Sequence, residues 1–193
     1  DEALQQTLDY LDEAGIAYCG AGKNIEEAYR AYRFEHDGIT VSLIAVCENE
    51  FGLAEHDKPG AAGFSLELLT KAIAAEHTVS EFVIVIYHGG NEHNPLPSPL
   101  CRDRLRSFIR LGADAVIGGH PHCVQGREFI DGKPIIYSMG NFYFPWCSGD
   151  GIFREDLSWQ TGYMTVLNQC SQLALGKNGV VNAQSCKLNL TGR

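Results

Sequence analysis

The chain has 193 residues, a formal net charge of −9 at pH 7 and a hydrophobic content of 45%. This length suits one domain with a substantial core, and we expect a single domain over residues 1–193. The acidic balance argues against non-specific binding to nucleic acid or to an anionic membrane surface. No apolar run approaches the roughly 20 residues of a membrane-spanning helix.

The seven cysteines are scattered and form no Cys-x-x-Cys pair. A disulfide framework or a zinc ribbon would show closer, paired spacing. We therefore interpret the cysteines as small hydrophobic residues of the core, which weakly favours a reducing compartment.

Helices and strands alternate along the chain. Leu4, Leu8 and Leu11 share one face of a first helix that ends at Gly15. Asn24 is placed to cap a second, short helix, NIEEAYRAY. Ser65 and Ser98 are placed to cap two longer helices, SLELLTKAIAAEH and SPLCRDRLRSFIRLG. The main predicted strands read ITVSLIAVC, EFVIVIY, ADAVIGG and KPIIYSMGNFYF.

The order from Thr40 to Tyr137 is therefore β-α-β-α-β-β, which predicts an α/β core with buried parallel strands. The last two apolar stretches, SWQTGYMTVL and GVVNAQSCKLNL, are predicted to be antiparallel strands.

Histidines follow two of these buried strands directly. His88 comes after EFVIVIY, and His120 and His122 come after ADAVIGG. The carboxyl ends of parallel strands lie at one edge of a sheet, and Pro121 fixes the bend between the last two histidines. Neutral imidazoles bind zinc and iron, and manganese sites add carboxylates. We therefore predict a divalent metal site; the alternative is that each histidine only makes a hydrogen bond in its turn.

A two-metal hydrolase also needs a carboxylate, which normally bridges the ions. Glu92 lies four residues after His88, and Glu48 and Glu50 follow the strand that ends near Val46. The sequence leaves open which of the three carboxylates reaches the histidines.

The motifs HGGNEH, GADAVIGGHPHCVQG and GKPIIYSMGNFYF resemble the bacterial CapA-type capsule-synthesis family, which is associated with poly-γ-glutamate production. The resemblance implies a metallophosphatase-like (calcineurin-like phosphoesterase) fold, a layered α/β sandwich. It implies that His88, His120 and His122 are metal ligands and that Glu92 has a catalytic or metal-binding role. His93 stands where the family has a tyrosine and is expected to line the substrate site in its place. Asn141 matches the family's Gly-Asn-Phe turn at the rim of this site, although it suits a structural turn equally well.

Two family motifs, an early Gly-Asp segment and an Asn-His pair, are absent from this sequence. The resemblance therefore implies a C-terminal portion that lacks the N-terminal strands of the fold. The complete protein is expected to bind two divalent ions (Mn, Zn or Fe). This portion alone is expected to bind metal poorly and to be catalytically silent.

The implied activity is metal-dependent hydrolysis of a phosphoester. The alternative is a non-catalytic accessory module that binds an anionic polymer and supports a membrane synthase. Arg102, Arg106 and Arg110 favour this alternative, because they share a helix face without matching acids in the sequence. The resemblance implies the extracytoplasmic face of the bacterial envelope, whereas the cysteines favour the cytoplasm.

Overall fold

The computed structural model describes residues 2–140, 168–176 and 179–188. The helices of these residues are α1 (Glu2–Glu13), α2 (Ile25–Ala28), α3 (Leu66–Glu76) and α4 (Pro99–Arg110). The first strands are β1 (Ala21–Gly22), β2 (Tyr32–His36), β3 (Ile39–Cys47), β4 (Gly60–Ala61) and β5 (Phe82–His88). The later strands are β6 (Ala115–Gly119), β7 (Arg127–Ile130), β8 (Lys133–Ile136), β9 (Asn168–Gly176) and β10 (Gly179–Leu188).

A six-stranded sheet in the order β2-β3-β5-β6-β8-β7 forms the centre of the molecule. β3, β5, β6 and β8 run parallel, and the two edge strands β2 and β7 run antiparallel to their neighbours. β1 pairs with β4, and β9 pairs with β10, each in a two-stranded antiparallel sheet. The predicted α/β core with parallel strands is confirmed.

Side-chain caps determine where three helices begin. The Ser65 side chain accepts a hydrogen bond from the Leu68 amide, and the Ser98 side chain accepts one from the Cys101 amide. Asn24 caps α2 in the same way. Each cap satisfies an amide that would otherwise lack a partner in the first turn. The capping residues predicted from the sequence are therefore confirmed.

One face of the sheet is buried beneath α3 and α4. Leu69 and Ile73 of α3 and Leu105 and Phe108 of α4 are fully buried and belong to one cluster with the inward-facing residues of β3, β5 and β6. A smaller cluster lies on the opposite face. Both faces of β5 are buried from Phe82 to Val85, which is why EFVIVIY is an unbroken apolar run.

The edge strands β2 and β7 were not predicted. All five residues of β2 are exposed, so no buried alternation marks the strand. The signals that could have found both hairpins are the Asp-Gly pairs at positions 37–38 and 131–132. All four of these residues have positive φ, between 51° and 78°, as the tight turns of two-residue hairpins require.

Near the C-terminus, β10 confirms the predicted strand in GVVNAQSCKLNL, and its antiparallel partner is β9. The predicted strand SWQTGYMTVL lies outside the described residues. Among residues 2–140 the cysteines are free thiols: Cys101 is buried in the core, and Cys19, Cys47 and Cys123 are half-buried. Within the same residues, no helix is both long enough and apolar enough to cross a membrane.

Candidate functional site

The candidate site lies at the carboxyl edge of three adjacent parallel strands. Cys47 of β3 is in register with His88 of β5, and His88 is in register with Gly119 of β6. The Glu48 amide donates to the His88 carbonyl at 2.9 Å, and the Gly89 amide donates to the Gly119 carbonyl at 3.1 Å. These bonds extend the pairing one residue past the strands, so the three following loops start side by side.

The structure brings the predicted histidines together at this edge. The ring centroids of His88 and His120 are 4.9 Å apart in an edge-on arrangement, and those of His120 and His122 are 6.1 Å apart. His93 stacks on His122 at 5.9 Å, although its own side chain is 61% exposed. Four imidazoles, one from the end of β5 and three from the loops that follow β5 and β6, therefore form one cluster, with His93 at its rim.

Two carboxylates reach this cluster. The Nε2 atom of His120 lies 3.8 Å from Oε1 of Glu48 and 3.9 Å from Oε1 of Glu92. The Glu48 side chain is 26% exposed and that of Glu92 is 53% exposed. Glu50, the third candidate from the sequence, lies in an exposed position of the loop. The predicted site residue Asn141 lies outside the described residues.

Three of the clustered histidines have a strained backbone. The φ angles of His93, His120 and His122 are 56°, 98° and 56°. A side chain in this left-handed region costs about 1–3 kcal/mol and persists only where the surrounding structure enforces it. Such strain concentrates at functional sites, and these three histidines lie in the loops that follow β5 and β6.

Hydrogen bonds join these two loops. The His93 amide donates to the Pro121 carbonyl at 2.8 Å. The Gln125 side chain donates to the Asn94 carbonyl at 2.8 Å, and the Cys123 thiol donates to the same carbonyl at 3.2 Å. The loop that carries Glu92 and His93 is therefore held against the loop that carries His120 and His122.

Partial burial, followed by the charges of the neighbouring His120 and His122, lowers the pKa of His88 below its usual value; Glu48 opposes this effect. At neutral pH the His88 imidazole is therefore uncharged and has a lone pair available to a cation.

The donor types in this cluster, imidazole nitrogen and carboxylate oxygen, are those of zinc, iron and manganese sites. Within the described residues, however, no set of three or more histidine, cysteine, aspartate or glutamate side chains converges closely enough to hold a metal ion. The described residues thus have the donor types of a metal site but do not converge on a single ion.

The arginine stripe, Arg102, Arg106 and Arg110 of α4, was expected to have no acidic partners, and this expectation is wrong for Arg106. Arg106 makes two hydrogen bonds of 2.7 Å each to the carboxylate of Glu128 on β7. This acid lies 22 positions further along the chain, so helix periodicity could not reveal it. The pairing neutralises the middle of the stripe and weakens its attraction for an anionic polymer.

The family model for the bacterial capsule synthesis protein PGA_cap matches residues 1–145. The capsule biosynthesis protein CapA of Bacillus anthracis is 27% identical over 149 residues, which cover 74% of this chain and 36% of the relative. The PGA biosynthesis protein CapA of Bacillus subtilis (strain 168) is 25% identical over 146 residues, which cover 74% of this chain and 38% of the relative. The chain thus spans little more than a third of these relatives.

Among solved structures, a phosphatase from Mycoplasma pneumoniae superimposes with a TM-score of 0.50 at 11% sequence identity, over 82% of this chain and 56% of that protein. At this identity the likeness concerns the fold alone, and it confirms the predicted metallophosphatase-like α/β fold. Since the family match extends over residues 1–145 of 193, the chain belongs to the bacterial capsule synthesis protein family PGA_cap.

Proposed function

We propose that this chain carries the histidine-rich part of a metal-dependent, phosphoesterase-like hydrolase site in a capsule biosynthesis protein. One observation carries the proposal. The imidazoles of His88, His120 and His122 and the carboxylates of Glu48 and Glu92 meet at the ends of three adjacent parallel strands. Sites of open α/β sheets form at this edge.

The residues divide into roles by their position. His88, His120 and His122 would hold divalent ions (Mn, Zn or Fe), two of them in the complete protein. A divalent ion at this edge supplies Lewis-acid polarisation of a phosphoryl oxygen. Glu92, half exposed beside His120, is placed to exchange a proton with water or with a leaving group. His93 at the rim is placed to contact the substrate.

The relatives suggest where this chemistry is used. Two Bacillus proteins that resemble the chain are named for capsule or PGA biosynthesis. We therefore propose that the protein acts at the extracytoplasmic face of the bacterial envelope, beside membrane synthase subunits. The proposed substrate is a phosphoester or a related bond in an anionic polymer.

The test uses the full-length protein and a chromogenic phosphoester, with Mn²⁺, Zn²⁺ or Fe²⁺ added in turn. Hydrolysis should require the ion, and His120→Ala should lower its rate by about 100-fold or more. The control is His56→Ala, because the His56 side chain is 91% exposed and should be dispensable. If no ion supports hydrolysis, and binding of an anionic polymer survives His120→Ala, the protein is an accessory binding module instead.

A further inference from the structure

Glu48 joins two of the three loops that build the cluster. Its carboxylate oxygens accept a hydrogen bond from the Gly90 amide at 3.3 and 3.4 Å, while Oε1 lies 3.8 Å from Nε2 of His120. Its own amide is bound to the His88 carbonyl. One residue on β3's exit loop thus contacts the exit loop of β5 and a histidine on the exit loop of β6.

We propose that Glu48 is the positioning residue of the histidine cluster. Its carboxylate anchors the glycine turn after β5 and holds the His120 imidazole beside His88. The consequence for metal binding rests on the proposed function, whereas the anchoring of Gly90 does not.

The glycine turn gives this carboxylate a firm attachment point. Gly90 has a φ of 113°, a conformation that side-chain-bearing residues rarely adopt. A side chain at the preceding Gly89 would lie 2.7 Å from the buried Tyr87 hydroxyl. The shape of the turn is therefore set by its two glycines, and the Gly90 amide is directed at Glu48.

Glu48 is better suited to this role than the other two carboxylates. Its side chain is 26% exposed and that of Glu92 is 53% exposed, so water screens Glu48 less. Glu92 also lies 3.9 Å from Nε2 of His93, which divides its charge between two rings. Glu50 occupies an exposed loop position.

A carboxylate that accepts a hydrogen bond from a metal-binding imidazole orients the ring and selects its tautomer, and losing such a partner costs about 10–100-fold in metal affinity. The 3.8 Å separation of Glu48 and His120 exceeds a hydrogen bond. The influence of Glu48 on the ring is therefore electrostatic and depends on its negative charge.

The test compares Glu48→Gln, Glu48→Asp and the control Glu50→Gln in the full-length protein. Isothermal titration with Zn²⁺ and with Mn²⁺ measures metal affinity, and the amide resonance of Gly90 reports the anchor without metal. Glu48→Gln should lower the affinity by about 10-fold, the lower end of the range for a hydrogen-bonded carboxylate, and shift the Gly90 resonance. Glu48→Asp should recover part of the affinity, and Glu50→Gln should change neither quantity.

An unchanged metal affinity in Glu48→Gln overturns the proposal, even if the Gly90 resonance moves. An equal loss in Glu50→Gln also overturns it, because general negative charge would then explain the effect. If the wild-type protein binds neither ion, the proposed function fails. The Gly90 resonance alone then decides whether Glu48 anchors the glycine turn. A shift in Glu48→Gln then supports the anchor, and no shift refutes it.

Discussion

Gly118 lies on β6 two residues before His120, where the sheet has no room for a side chain. A Cβ built at Gly118 would lie 2.1 Å from the backbone oxygen of Tyr137. This is more than an ångström short of the 3.4 Å at which ordinary contact begins. Because the obstacle is backbone, Gly118→Ala must push β8 away from β6.

The cost follows from what holds these strands together. The Met139 amide donates to the Gly118 carbonyl at 3.3 Å, next to the registered pairs of β6 and β8. Loss of one such bond costs about 1 kcal/mol, and overpacking adds about 1–3 kcal/mol. We expect Gly118→Ala to lower the free energy of unfolding by about 2–4 kcal/mol.

Urea unfolding followed by circular dichroism measures this loss, as a midpoint lowered by about 1–2 M. The neighbouring Gly119→Ala is the matched control, because a Cβ there meets nothing within 4 Å. It should be neutral or slightly stabilising, since alanine restricts the unfolded chain more than glycine does. Equal midpoints for the two variants would show that the predicted clash does not occur.

Two further substitutions, with one control, test the packing of α4. The hydrogen bonds from Arg106 lower the pKa of Glu128 from its ordinary value of 4.5 to about 2. The stabilisation of the folded state by the Arg106–Glu128 pair is therefore fully present above pH 4.5, and it is lost as the pH falls towards 2 and Glu128 becomes protonated. Glu128→Gln should lower the free energy of unfolding by about 1–3 kcal/mol at pH 7, measured by urea unfolding. If the difference in this free energy between wild type and variant stays constant down to pH 3, the Arg106–Glu128 pair is not the source of the stabilisation. Phe108→Ala, at a fully buried position against two aromatic rings, should cost about 3–5 kcal/mol by the same measurement. Arg110→Ala, at an exposed position of the same helix, should leave the midpoint nearly unchanged.

The sequence predicted the interior of the fold well because its signals are local. Ser65 and Ser98 act within one turn of their own helices, and the apolar run of β5 reflects burial on both of its faces. The edge strands were missed for the converse reason. Every residue of β2 is exposed, so burial leaves no pattern in its sequence, and only the Asp-Gly turn marks the hairpin.

The candidate site also has a part that the sequence predicted and a part that it could not predict. His88 and His120 could be placed at one edge of the sheet, because each directly follows a strand that is recognisable by itself. The roles of Glu48, Glu50 and Glu92 could not be separated, because all three follow strands at similar distances along the chain. Only the packed loops show that Glu48 contacts both Gly90 and His120.

The sequence by itself determined the helices, the buried strands and the residue types at their ends, because capping and burial periodicity act between residues close together in the chain. The tertiary structure alone decided which carboxylates lie beside His120 and which arginine Glu128 neutralises. Those pairings depend on distances between remote segments, and such distances exist only after the sheet has aligned its strands and the helices have packed against it.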